Sequence, residues 1–104
     1  MHNCGKGTTR NLFKFLRDEA NIHFKKHASE IMQTLGKKSY NLKEYINDAN
    51  WIVNNGYFLE SKNGYYYYLN NSSKGKSLVG FVGLTRDGKY ITTFHIKTAI
   101  ELGL

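Results

Sequence analysis

The chain has one cysteine, Cys4, among 104 residues, which rules out an internal disulfide and leaves no cysteine partner for a zinc site. No apolar run approaches the roughly 20 residues of a membrane-spanning helix. The polar, glycine-containing start, Met1-His-Asn-Cys-Gly-Lys-Gly7, is no signal peptide. The expectation is a protein that works in a cytosol, or a fragment whose export signals lie on a parent chain. A Gly-rich phosphate loop, a carboxylate pair and a Gly-x-Ser-x-Gly elbow are all missing, so nucleotide hydrolysis, glycosidase and serine hydrolase chemistry have no groups to rest on. Acidic side chains are also few: eight Asp and Glu against fifteen Lys and Arg leave a formal charge of +7. That excess favours polyanionic partners, nucleic acid first, an anionic membrane or an acidic protein second.

What the chain does have is apolar and aromatic content, 40% and 14%, enough for one folded domain with a modest core. Residues 1–7 read as a lead or linker remnant and residues 8–104 as that domain, with no internal repeat or low-complexity segment. Its strongest local signal comes late. Ser77 to Thr85 and Tyr90 to Lys97, both rich in β-branched and aromatic residues, flank Asp87-Gly88, a pair that favours a two-residue hairpin turn. With that turn, Thr85 faces Tyr90, Gly83 faces Thr92, Phe81 faces Phe94 and Val79 faces Ile96 on a core face. Thr93, His95, Lys97, Lys89 and Arg86 then share the opposite face, with Gly80 across from His95. A glycine there opens the imidazole to a ligand, or marks a bulge that shifts part of the register.

Upstream, Thr8 or Thr9 can cap a helix carrying Phe13, Leu16, Ala20, Phe24, Ala28, Ile31 and Leu35 at helical spacing, ended by Gly36 and with a possible break near Asn21. Asn41 and Glu44 resemble a capping box for a second helix through Leu42, Tyr45, Ile46, Ala49, Ile52 and Val53, stopped by Asn54-Asn55-Gly56. Asn63-Gly64 predicts another hairpin, with Leu59 opposite Tyr68 and Phe58 opposite Leu69. A polar loop, 71–76, leads into the last hairpin, and Thr98 to Leu104 forms a short helical tail. The fold class is α+β: two N-terminal helices packed on a four-stranded antiparallel meander sheet.

His23 and His27 stand one turn apart on the first helix, with Lys25 and Lys26 between them. That spacing can bind metal, but the zinc protease motif needs a glutamate where Phe24 stands, so no metal or other cofactor is expected. Projection places His27 at the edge of the apolar stripe, His23 further out, and Lys26 away from it. Taken singly, His27 reads as a half-buried helix histidine, His95 as an exposed strand residue and Arg86 as a solvated turn flank. Their company with Thr92 and Thr93 in a basic, aromatic-rich chain points to a site. In the run Tyr65-Tyr-Tyr-Tyr68, two rings belong to the core and two to the sheet exterior, where they can stack on bases.

His23-Phe-Lys-Lys-His27, the helix from Tyr40 to Ala49, Gly80-Phe-Val-Gly-Leu-Thr-Arg-Asp-Gly88 and Ile91-Thr-Thr-Phe-His95 together resemble the barnase/EndoU/colicin/RelE superfamily of small metal-independent ribonucleases. Within it, the chain is similar to the C-terminal toxin domains of bacterial contact-dependent inhibition and polymorphic toxin systems. The resemblance implies an endoribonuclease that cuts tRNA by 2′-OH attack, leaving a 2′,3′-cyclic phosphate and a 5′-OH. The implied catalytic set is His23, Lys26, His27, Arg86, Thr93 and His95. Of these, His27 and His95 would serve as base and acid in either order, because imidazole titrates near working pH. Arg86 would hold the charge on the phosphate, with Thr93 donating a further hydrogen bond. Lys25, Lys89, Lys97, Tyr66 and Tyr68 are the expected RNA contacts. The resemblance further implies a cognate acidic immunity protein, a monomeric toxin delivered as part of a larger effector, and action in the target cell cytoplasm. The competing expectations are a non-catalytic nucleic-acid-binding module on the same basic face and a small adaptor for an acidic protein.

Overall fold

A computed structural model describes residues 12–70 and 77–104. The lead, the cap at Thr8 or Thr9 and the polar loop 71–76 fall outside them.

The class is α+β, with two helices on one face of a sheet whose order is β1-β5-β4-β3-β2. The strands are β1 (Lys14–Phe15), β2 (Tyr57–Leu59), β3 (Gly64–Tyr68), β4 (Leu78–Leu84) and β5 (Tyr90–Thr98). The expected antiparallel meander runs from β2 to β5. The sheet nevertheless has five strands, and β1 joins β5 in parallel, so it is mixed rather than purely antiparallel. Phe13 and Leu16, at helical spacing in the sequence, flank this short strand on either side. Buried Asn50 explains why: its side chain accepts from the Phe13 N–H at 2.5 Å and donates to the Phe13 carbonyl at 3.0 Å, holding that backbone extended. Tertiary hydrogen bonding overrides a chance helical spacing.

Helix α1 therefore starts late, at Glu19, and runs unbroken to Leu35. Gly36 closes it with φ +70°, the left-handed conformation that glycine adopts without a Cβ clash. Helix α2, Leu42–Asn55, starts as the sequence predicts. Asn41 accepts from the Glu44 N–H at 2.8 Å, and Glu44 accepts from the Asn41 N–H at 3.1 Å. Its stripe Tyr45, Ala49, Ile52 and Val53 is buried against Val82, Ile91 and Phe94 of the sheet and Ile31 of α1. The Tyr45 hydroxyl donates to the Phe94 carbonyl at 2.6 Å, which satisfies a polar atom deep in the core.

Both hairpin registers differ from expectation. Leu59 pairs with Gly64 and Tyr57 with Tyr66, because a 3₁₀ turn at Glu60–Lys62 and Asn63 at φ +51° take the place of a two-residue turn. The offset is an even number of residues, so faces are kept. Tyr65 and Tyr67 pack with the helices while Tyr66 lies on the outer face, as the tyrosine run implied. At the last hairpin, the Gly88 N–H bonds the Thr85 carbonyl, and only Gly88 has positive φ. Thr85 meets Tyr90 as expected, yet β5 carries one extra residue at Thr92, so Gly83 pairs with Thr93 and Phe81 with His95.

A one-residue shift exchanges the faces of β4. Gly80 and Val82 turn to the helices, and Val79 and Phe81 turn to the outer face under Ala99 and Leu102. Gly80 therefore does not uncover His95. A Cβ on it would lie 2.8 Å from Ile52 Cδ1, so it admits α2 to the sheet instead. The predicted helical tail is a 3₁₀ turn at Ile100–Leu102. Among the described residues no helix is long and apolar enough to cross a membrane.

Candidate active site

Beyond Ile91, β1 no longer covers β5, and the outer edge of β5 faces α1 instead. Glu30 of α1 closes that edge: its Oε2 accepts from the Ile96 N–H at 3.1 Å and lies 3.3 Å from Nδ1 of His27. One carboxylate thus fastens the helix to the strand and orients an imidazole. His23, Lys26, His27 and Glu30 from α1 and Thr93, His95, Ile96 and Lys97 from β5 line an open groove of about 410 Å³.

Three imidazoles meet there. His23 and His27, one turn apart, stack at 5.6 Å with nearly parallel planes. His27 and His95, expected from the two ends of the chain, lie with ring centroids 5.2 Å apart. His95 also lies against Phe81, with ring centroids 5.7 Å apart, a direct result of the bulge. Thr93 Oγ1 lies 3.1 Å from Nδ1 of His23 and 3.0 Å from Nδ1 of His95, so one hydroxyl joins helix to strand. Glu19, at the first turn of α1, reaches Nε2 of His23 at 3.0 Å.

Burial holds His95 down at about 4, with the charges of His27 and Lys97 adding to it. At neutral pH this ring is uncharged and able to accept a proton. His27 also falls below its ordinary value, again through burial, although Glu30 works against the fall; His23 and Lys26 reinforce it. The ring beside Glu30 therefore holds a second proton more readily than the one resting on Phe81, and the two environments separate two otherwise equal groups.

The structure brings together five members of the predicted catalytic set, His23, Lys26, His27, Thr93 and His95, together with Lys97. Lys26 lines the groove although helical projection points it away from the core stripe, because the groove lies beside that stripe and not beneath it. Arg86 is not among the lining residues; it is exposed in the hairpin turn, as is Lys89. Lys25 is exposed on α1, and Tyr68 is exposed on the outer sheet face beside Tyr66. Sequence reasoning missed Glu19 and Glu30, although their spacings to His23 and His27, four and three residues, are those that bring helix side chains together. Among the described residues no three His, Cys, Asp or Glu side chains converge as a metal site.

No protein-family model, curated protein or solved structure matches this chain.

Proposed function

We propose that the chain is a metal-independent endoribonuclease that uses His95 as general base and His27 as general acid. The observation that carries this reading is the pair of imidazoles, 5.2 Å apart in an open groove flanked by Lys26 and Lys97. Two rings that close can both reach one phosphodiester. His95 takes the 2′-OH proton, the 2′ oxygen bonds to phosphorus, the bond from phosphorus to O5′ breaks, and the second proton of His27 goes to O5′. The assignment follows from environment: the more deeply desolvated ring is the base, and the ring with a carboxylate partner is the acid. Lys26 and Lys97 supply the positive charge that the crowded phosphate needs, in place of Arg86. Thr93, whose hydroxyl lies within hydrogen-bond distance of two imidazoles, serves the histidines and not the phosphate.

The finer reading is a barnase/EndoU/colicin/RelE-type toxin domain acting on tRNA, delivered on a larger effector and restrained by an acidic immunity protein. It rests on the sequence resemblance, and the helix-and-sheet cleft with a histidine-bearing helix as one wall is in keeping with it. Incubation of the protein with total tRNA in EDTA tests the activity. Discrete fragments with 2′,3′-cyclic phosphate and 5′-OH ends are expected, and they should vanish in His95→Ala and His27→Ala. RNA with a 2′-deoxy nucleotide at the cut should stay whole. The second reading, a binding module without chemistry, is favoured by Tyr57 and Tyr68, exposed on the outer face beside Tyr66. Salt-dependent RNA binding with no fragments would select it.

A further inference from the structure

Thr93 has one hydroxyl proton and two imidazole neighbours, each at hydrogen-bonding distance from Oγ1. The single proton can go to only one ring, so at least one ring must donate to the oxygen. Glu19 decides the direction. Its carboxylate can only accept, so Nε2 of His23, 3.0 Å away, carries a hydrogen. In a singly protonated His23, Nδ1 is then a lone pair and accepts from Thr93. The Thr93 oxygen in turn accepts from Nδ1–H of His95. That leaves Nε2 of His95 without a proton and, among the described residues, without a partner.

We propose that Glu19, His23 and Thr93 form a relay that holds His95 in the tautomer with Nδ1 protonated and Nε2 bare. In the ribonuclease reading, on which its catalytic meaning rests, Nε2 is the atom that takes the 2′-OH proton, and these three are positioning residues. The logic parallels a carboxylate orienting a catalytic imidazole, extended by one histidine and one hydroxyl. The elements suit the task. Glu19 sits in the first turn of α1, where a negative charge is favoured by the helix dipole. His23 is further held by its stack on His27, and Thr93 and His95 are two apart on β5, hence on one face.

The direct test is long-range proton–nitrogen correlation NMR of the ¹⁵N-labelled protein at about pH 8, where imidazoles carry a single proton. His95 signals are identified by their loss in His95→Gln. The expected pattern is Nδ1–H for His95 and Nε2–H for His23. Thr93→Val should turn His95 to the Nε2–H form or a mixture, and Thr93→Ser should restore Nδ1–H. Glu19→Gln, at a partly exposed helix start, should weaken the preference without touching the core. Finding Nε2–H on His95 in the unaltered protein, an unchanged His95 pattern in Thr93→Val, or none of the expected weakening in Glu19→Gln would overturn the relay. Cleavage gives the second readout: kcat should fall roughly tenfold or more in Thr93→Val with KM little changed, and recover in Thr93→Ser. Because the tautomer is read without RNA, an Nδ1–H pattern in a protein that cuts no RNA would keep the relay and discard the ribonuclease reading.

Discussion

His95 makes stability depend on acidity in a way that needs no substrate to measure. Its ordinary value of 6.5 is depressed to about 4 in the folded chain, chiefly by burial, with His27 and His23 facing it from α1, Lys97 on its own strand and Glu101 opposing from the C-terminal turn. An unfolded ring takes up a proton as pH falls through 6.5, whereas the folded ring refuses it until about 4, so stability drops across that window. The two values correspond to about 3 kcal/mol if the window is crossed completely. At about pH 4.5, and with solvent screening of a half-buried ring, about 2 kcal/mol is expected. Urea unfolding of the native protein and of His95→Gln at about pH 7 and about pH 4.5 isolates this contribution, since carboxylates and the other histidines titrate in both. The native protein should lose about 2 kcal/mol more than the variant on acidification, or roughly 10 °C in melting temperature. Equal losses would mean that His95 is solvated like a free imidazole, and its role as the buried base would fall with that.

The profile of kcat/KM for RNA cleavage should rise as His95 loses its proton near pH 4 and decline as His27, held below 6.5, loses its own, giving an optimum on the acid side of neutrality; a rate still climbing at about pH 7.5 would reverse or remove the acid and base assignment. Lys26→Met and Lys97→Met should each weaken RNA binding and reduce the salt slope by about 0.7, the value for one contact to a single strand; an unaltered slope in titrations would take that lysine off the phosphate path. Gly64→Ala should cost about 3 kcal/mol, because a Cβ would lie 2.3 Å from the Val82 carbonyl oxygen and 2.6 Å from the Phe81 ring. By contrast Gly36→Ala, with open space but φ +70°, should cost about 1 kcal/mol, and denaturation that ranks the two the other way would contradict the close packing around Gly64.

Legibility in the sequence tracked the range of the forces involved. The capping box at Asn41 and Glu44, the stop at Gly36 and the sharing of the tyrosines between two faces all depend on neighbours within a turn or on strand alternation, and all are as read. Strand β1 is two residues long and exists because Asn50, 37 positions away, captures the Phe13 backbone; no local pattern encodes that. The acidic partners Glu19 and Glu30 stand at helical spacings to the histidines, but the same spacings describe any solvated pair on a helix surface, and only the approach of β5 makes these carboxylates orient imidazoles of a site.

The extra residue at Thr92 is the least legible feature and the one on which the site most depends. Without it, His95 would lie across from Gly80; with it, His95 pairs with Phe81, whose ring covers Gly64 and Gly83. The bulge thus exchanges an open neighbour for an aromatic one and desolvates the imidazole that must stay unprotonated. It also turns Gly80 toward α2, where the missing Cβ lets Ile52 pack onto the sheet. A single insertion in one strand therefore serves the core on one face and sets the chemistry of His95 on the other. Hairpin rules alone could not reveal this, since both registers satisfy the turn and keep Thr93 and His95 on the same face.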